Sequence, residues 1–466
     1  MDFISTRGGK SASFEEVLLG GLSPDGGLYL PREWPAFGAT EIRQLASLPY
    51  AEAAVRILSP FTSNHFSDDE LRADASAAYG SFSHPAVAPL VQLEPDLFLL
   101  ELFHGPTLAF KDLALQLMAR LFARAVAKRG RQATIIAATS GDTGSAAIAA
   151  FRGQPGVQVV VLHPRGRVSE MQRRQMTTVP DPNVHNIALE GNFDDTQAIV
   201  KRLFEDAEFR SRINLTAVNS INLVRILAQS VYYFTAGAAL GAGFGRPLNF
   251  VVPTGNFGDV FAGEAAARMG LPAGWLVIAT NTNDILVRAL ATGEYGAGGT
   301  VQPTYSPSMD IQVASNFERA LFEASDRDVQ WVNDAMSQFG QSRRLVIAKT
   351  ALKKLRERYL AAKAAEDETL STIRSVWEKT GMIVDPHTAV GLTASRKIRS
   401  ELNGPIIALA TAHPAKFPAA ITQAIGRAAE IPRSLAGLEA RAERFTVLPN
   451  SAAAVKEFIL EHTRQK

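Results

Sequence analysis

Lys111 lies within the stretch HGPTLAFKDLALQLMARLFARAVAKRG, His104 to Gly130, between an apolar tripeptide and a run that reads as a buried helix. Burying an ammonium is costly, so a lysine in such company either bends out to water or is held dry for its amine. Leu113, Leu117, Leu121 and Ala125 recur at helical spacing, so a helix is expected to begin near Phe110. Lys111 then falls in the first turn, where the helix dipole disfavours a cation. Apolar surroundings act in the same direction, and both lower the pKa of the amine. A free amine is what a Schiff base with a carbonyl compound requires. The plainer alternative is a snorkelling lysine with its ammonium in water, and this stretch alone favours that alternative.

Two glycine-bearing loops offer a second kind of chemistry. TGNFGD, Thr254 to Asp259, leads from an apolar run into a helical pattern, with Gly255 and Gly258 flanking Asn256 and Phe257. Free N–H groups at a helix start favour an anion, and glycine allows the backbone to approach it closely. SGDTG, Ser140 to Gly144, has the same setting. An isolated loop of this kind is more often a plain turn. Neither loop matches the dinucleotide GxGxxG or the nucleotide GxxxxGK[ST] pattern. The Gly-Lys-Ser at residues 9–11 is a decoy, because the leading glycine of a P-loop would fall at Ile4. Ser13 to Glu16 reads instead as a capping box for the helix that follows.

The elements that carry these residues repeat one pattern. Thr134 to Ala138, Asn249 to Val252 and Ile406 to Ala410 read as buried strands, each followed by a polar loop and a helix. Val260 to Met269 forms the second of these helices, stopped at Gly270, and Pro418 can open the third. Strand–loop–helix units imply parallel sheets flanked by helices, with ligands at the carboxyl ends of the strands. The site is therefore expected near residues 142, 256 and 411. The stretch from Lys349 to Thr380 is charged and helical in pattern and reads as scaffold. The chain up to about Pro95 reads as a mainly helical entry segment.

Composition narrows the function classes. The chain has 466 residues, long enough for two or three domains. Its formal net charge of +2 and dispersed basic residues give no electrostatic case for nucleic acid or an anionic membrane. There is no cysteine, which excludes disulfides, thiolate nucleophiles and zinc–thiolate sites and suits the cytoplasm. Eight histidines are scattered without metal-ligand spacing, so no metal site is expected. The opening residues lack a signal-peptide core, and no apolar run is long enough to span a bilayer. A Schiff-base lysine and a phosphate cradle, without metal or thiol, suit pyridoxal 5′-phosphate, whose ring nitrogen a strand-end hydroxyl such as Thr411 could face.

ELFHGPTLAFKD, ATSGDTGSAA, NSINLVRI, PTGNFGDVFAG and TAHPAKF, in this order, together resemble the threonine synthases, pyridoxal-phosphate enzymes of the tryptophan-synthase-β fold group. ISTRGG and GLSPDGGLYLP look like the longer bacterial and fungal branch. The resemblance implies fold type II: two open, mostly parallel twisted sheets flanked by helices, with the cofactor in the cleft between lobes. It suggests an N-terminal segment over 1–97, a large α/β domain from 98–130 and 230–466, and a smaller one over 131–229. Lys111 would carry the cofactor and then move protons at the substrate's Cα and Cβ. Gly255, Asn256, Phe257 and Gly258 would bind its phosphate, and Thr411 would face its ring nitrogen. Ser140, Asp142 and Thr143 would lie by its O3′ and the substrate carboxylate. An ionised Asp142 would repel a phenolate-like O3′, so it is expected to be protonated or turned toward backbone amides, with a plain helix cap as a competing role.

The substrate implied is O-phospho-L-homoserine, converted with water to L-threonine and phosphate. Thr107, Ser220, Asn222, Arg225 and Lys416 are candidates for its phosphate, each with a structural role as a near-even alternative. A monomer or weak homodimer in the cytoplasm is expected. Two other functions compete: a phospho-lyase or dehydratase on a related amino acid, and a non-catalytic sensor that retains the ligand site.

Overall fold

The computed structural model describes residues 1–139, 141–217, 219–242, 247–296 and 299–463, so Ser140 lies outside the described residues. Two twisted sheets organise the chain. The larger runs, edge to edge, Tyr359–Lys363, Ala273–Thr280, Leu248–Pro253, Ile406–Ala410, Leu97–Glu101 and Leu90–Glu94, and only the last pairing is antiparallel. The smaller runs Thr446–Leu448, Val184–Leu189, Val157–Pro164, Ala133–Ala138 and Leu215–Ala217, all parallel. Central strands such as Leu248–Pro253 are buried along their whole length, as strands covered on both faces must be. This is the parallel α/β architecture expected from the repeated pattern, with the two sheets that the family resemblance implies.

Three cores follow from these layers. One face of the large sheet packs with the N-terminal helices and with helices Lys111–Lys128, Leu223–Ala239 and Gly258–Arg268. The other face carries helices Glu366–Thr380, Pro386–Lys397 and Pro418–Ile425. A separate cluster lies between the small sheet and the C-terminal helix Ala452–His462. Ser13 caps helix Phe14–Gly20 with the reciprocal Glu16 bonds of a capping box.

The structure redraws the domain edges. The segment 1–97 shares its core with the large lobe, and its strand Leu90–Glu94 forms that lobe's sheet edge. Helix Leu223–Ala239 crosses the boundary drawn at 229–230. Residues 446–462, expected in the large lobe, return to the small one: Thr446–Leu448 pairs with Val184–Leu189, and Val455 and Ile459 fill its core. A three-residue edge strand carries too little periodicity to reveal this return. The 349–380 stretch is two helices, Lys349–Arg358 and Glu366–Thr380, separated by the edge strand Tyr359–Lys363. Pairing with Ala273–Thr280 and burial of the Tyr359 ring outweigh the helical propensity there.

Because Ile459 is fully buried in the small lobe, Ile459→Ala should cost about 2–5 kcal/mol in urea unfolding. A loss well under about 1 kcal/mol would mean that the C-terminal helix is a peripheral addition.

Candidate active site

Lys111 is the first residue of helix Lys111–Lys128, and its approach is fixed by backbone bonds to a neighbouring strand end. Phe110 N donates to Thr411 O at 2.8 Å, and His413 N donates to Leu108 O at 3.0 Å. Leu108 takes the left-handed conformation, φ +60°, a strained choice for a branched side chain. The result delivers the amine to the carboxyl ends of the large sheet. Lys111 is 8% exposed, with its ammonium nitrogen 4.7 Å from the centre of the Phe110 ring. Burial lowers its pKa; Asp142 opposes this, while Lys416 and Arg225 add to the lowering. Thr411 is buried, and its hydroxyl makes no hydrogen bond to a described residue.

Asp142 opens helix Asp142–Phe151 of the small lobe. Its Oδ1 lies 2.7 Å from Lys416 Nζ and accepts from Gln172 Nε2 at 2.9 Å. Its Oδ2 lies 3.6 Å from Lys111 Nζ and 3.4 Å from Ser308 Oγ. Burial alone would raise its pKa, but Lys416, Lys111 and the Gln172 bond outweigh burial and hold it far below the usual carboxylate range. Asp142 is thus bound by side chains, in a setting that favours its carboxylate form rather than the protonated or amide-facing forms expected. Nor is it a helix cap: Gly141 holds that position, and Thr139 Oγ1 accepts from Gly141 N and Gly144 N. Thr143, half-buried beside it, has no hydrogen-bonded partner for its hydroxyl among the described residues.

The loop from Gly255 to Phe257 enters helix Gly258–Arg268. Among the described residues, nothing accepts from the N–H groups of Gly255, Asn256, Phe257 or Gly258. Phe257 sits at φ +64° with its ring buried against Phe317 and Tyr359. Asn316 fixes the loop from outside, donating from N at 3.0 Å and Nδ2 at 2.9 Å to Asn256 O. The two glycines differ. A Cβ on Gly255 would lie 2.4 Å from Ser308 O, whereas one on Gly258 would meet Asn316 Nδ2 at 3.4 Å. Ser308 therefore touches both the loop and Asp142, which brings the cradle and Lys111 into one site.

Of the candidates for a substrate phosphate, Arg225 stands out. It is 4% exposed, and its Nε and Nη1 have no hydrogen-bond partner among the described residues. Burial brings its pKa down to about 10, against a small opposing effect of Tyr232. Ser220 stays partly open, its Oγ 3.4 Å from Ser315 Oγ. The other three are committed to the fold. Asn222 caps helix Leu223–Ala239 through Val224 N and donates to Leu18 O, both at 3.0 Å. Thr107 gives its N–H and hydroxyl to Asp112 at 2.8 and 2.7 Å. Lys416, 1% exposed, bonds Thr107 O at 2.9 Å besides Asp142. Gln172, Ser308 and Asn316 were not foreseen, because each reaches the site from a segment with no motif of its own.

Family models described as threonine synthase N terminus, pyridoxal-phosphate dependent enzyme, and threonine synthase C-terminal match residues 2–79, 83–338 and 388–459. The chain is 48% identical over 464 residues to the threonine synthase of Pseudomonas aeruginosa, covering 99% of this chain and 98% of that protein. It belongs to the threonine synthase family. The fold agrees: a PLP-bound threonine synthase from Brucella melitensis matches with a TM-score of 0.97 at 49% identity over the whole of both chains. The yeast threonine synthase matches at 0.94 and 37% identity, covering 99% of this chain and 98% of that one. The chain is a pyridoxal-phosphate-dependent enzyme of fold type II. Its own residues fit that cofactor: four amides without acceptors for the phosphate, a dry amine for the aldehyde and an unengaged hydroxyl at Thr411.

Gly258→Ala should leave the unfolding temperature unchanged, because the added methyl would meet only Asn316 Nδ2 at 3.4 Å and Ser220 O at 3.7 Å, yet weaken pyridoxal-phosphate binding, because it adds bulk at a helix start whose amides an anion must approach closely. Gly255→Ala should lower both, since it drives into the Ser308 backbone. A Gly258→Ala protein with wild-type cofactor affinity would remove the loop from the cofactor site. Lys416 gives a pH test. Removing its charge in Lys416→Met leaves Asp142 to Lys111 and favours the ammonium, so the pKa of Lys111 rises. The acid limb of covalent cofactor uptake by the apoprotein should move to higher pH, and an unmoved or lowered limb would contradict this coupling.

Proposed function

We propose that the site converts O-phospho-L-homoserine and water into L-threonine and inorganic phosphate. The observation that supports this most is Arg225, a buried guanidinium whose Nε and Nη1 have no acceptor among the described residues and whose charge acts on Lys111. The cradle accounts for the cofactor's phosphate. A second, unmatched cation near the amine suits a substrate that brings a phosphate of its own. Ser220 is proposed as a hydroxyl partner of that phosphate. Thr107, Asn222 and Lys416 act at one remove, by holding the elements that shape the site.

Bound to Lys111, pyridoxal phosphate supplies an electron sink that acidifies the substrate's Cα and then its Cβ. Lys111 Nζ takes the proton from Cα and later from Cβ. Its burial keeps the amine basic without leaving it permanently charged. As the Cγ–O bond breaks, its electron pair leaves with the phosphate, and Arg225 meets the charge that develops there. Water then adds as hydroxyl at Cβ, its other proton going to the released phosphate, and the two protons that Lys111 took return through it to Cγ and Cα. Thr143 and the neighbouring first turn of helix Asp142–Phe151 are proposed to hold the substrate carboxylate, where free N–H groups and the helix dipole favour an anion. Thr411 offers the cofactor's ring nitrogen a neutral hydroxyl. A cytoplasmic location and a monomeric or weakly dimeric state form part of the same proposal.

Purified protein given pyridoxal phosphate and O-phospho-L-homoserine should release threonine and phosphate in equal amounts. A phospho-lyase would instead yield 2-oxobutanoate, ammonia and phosphate, and a sensor would yield nothing. Lys111→Arg should be inactive, because a guanidinium neither takes the aldehyde nor shuttles the protons, a contribution of roughly 10²–10⁴-fold per proton step. Arg225→Met should keep the cofactor and lose roughly ten- to a hundredfold in kcat/KM, mostly through KM. Near-normal threonine formation by Lys111→Arg would overturn the mechanism, and unchanged kinetics in Arg225→Met would overturn the phosphate assignment alone.

A further inference from the structure

Helix Pro386–Lys397 lies across the large sheet and begins with the sequence Asp385-Pro-His-Thr388. Asp385 caps it in the ordinary way, accepting from His387 N at 2.9 Å and Thr388 N at 3.3 Å. That cap needs no histidine side chain. Yet the His387 ring, 3% exposed, turns back so that Nδ1 lies 2.8 Å from Asp385 Oδ1. Its other nitrogen, Nε2, accepts from Ser308 N at 3.3 Å. The Ser308 N–H can only donate, so Nε2 is the acceptor and Nδ1 carries the proton toward Asp385. The Phe417 ring, next in sequence to Lys416, packs against His387 at 4.9 Å and closes the third side.

Ser308 sits in the short turn Pro307–Met309. Its three polar groups point three ways: the amide to His387, the carbonyl against Gly255, and the hydroxyl toward Asp142. The turn is thus a wall shared by the phosphate cradle and the Asp142–Lys111 pair. The amide ties that wall to a rigid helix.

We propose that His387, oriented by Asp385, is a positioning residue: it fixes the Ser308 turn and thereby the cradle's geometry for the cofactor phosphate. This rests on assigning the loop at Gly255–Gly258 to the cofactor. His387 touches neither cofactor nor substrate in this scheme and acts through the backbone of residue 308.

Two substitutions separate the bonds of the ring. Asparagine places an amide where Nδ1 was, keeping the Asp385 contact and losing Ser308. Glutamine reaches the position of Nε2 with its carbonyl, keeping Ser308 and losing Asp385. Titrating the full-length apoproteins with pyridoxal phosphate, His387→Asn should bind roughly tenfold more weakly, and His387→Gln within about threefold of wild type, as expected for one hydrogen bond. Thermal unfolding of the two apoproteins should coincide, so that rescue by glutamine reports position rather than stability. Equal dissociation constants in the two variants would overturn the proposal. Both weakened would assign the effect to the Asp385 bond or to packing, and neither weakened would show that the turn needs no anchor. Gly258→Ala, measured alongside, keeps the two claims apart. If it binds normally the cradle assignment fails, whereas if it is weakened while the His387 variants agree, only the positioning role fails.

Discussion

One buried carboxylate shared by two lysines governs the site. Asp142 belongs to the small lobe, whereas Lys111 and Lys416 follow strands of the large sheet. A buried carboxylate with a single lysine would hold it as a permanent ammonium. Here Lys416 takes the close position at 2.7 Å and leaves Lys111 at 3.6 Å. The nearer pair largely satisfies the charge on Asp142, so burial decides the state of Lys111, and its pKa falls. Removing two ions from water costs several kcal/mol each, so the pair is poorly explained by stability. It makes sense as a way to lower the pKa of a second amine and to tie helix Asp142–Phe151 of the small lobe to the large one.

The surrounding structure keeps that pair in place. Lys416 depends on Thr107 O, and Thr107 is held by Asp112, a fully buried acid whose pKa burial lifts to about 6 against the Thr107 bonds and Lys416. Between Thr107 and Lys111 the chain passes through the left-handed Leu108 and an isolated bridge from Ala109 to Ala412. Such strain persists where neighbours over-determine the backbone. Here the neighbours are the two bonds from Phe110 and His413. Lys111 is thereby placed by the same strand end that supplies Thr411. One short antiparallel contact sets the Lys111 amine and the Thr411 hydroxyl, the groups proposed for the cofactor's aldehyde and ring nitrogen, relative to each other.

Much of this was legible before the fold was known. The lysine at a helix start, the glycine cradle and the strand-end Thr411 each follow from local rules, and their order along the chain carries the family resemblance. What stayed hidden is what is decided by distance in space. Asp142 looks like a helix cap because aspartate at a helix start usually is one, and nothing local reveals that Lys416, far along the chain, claims it. Asn222 and Lys416 sit in the right motifs, but their polar atoms are taken by Leu18, Val224, Thr107 and Asp142. The strand Tyr359–Lys363 is hidden in a helix-forming stretch, and the small lobe's last strand is three residues long. In each case a tertiary partner overrides a weak local preference.

Two of the groups left without partners among the described residues point the same way as those that are paired. Native interiors rarely leave buried polar atoms unsatisfied, and each exception costs on the order of 1–3 kcal/mol. Among the described residues, two nitrogens of Arg225 have no partner, and four amides of the Gly255–Gly258 loop have no acceptor at a helix start. All of these are donors, and the charge of Arg225 is felt by the buried amine of Lys111. A protein that evolved only for stability would fill such places with acceptors of its own. Under the proposed reaction these two sets of unmet donors are the complement of two phosphates, one carried by the cofactor and one brought by the substrate, so the deficit that weakens the fold on its own is what would hold both ligands.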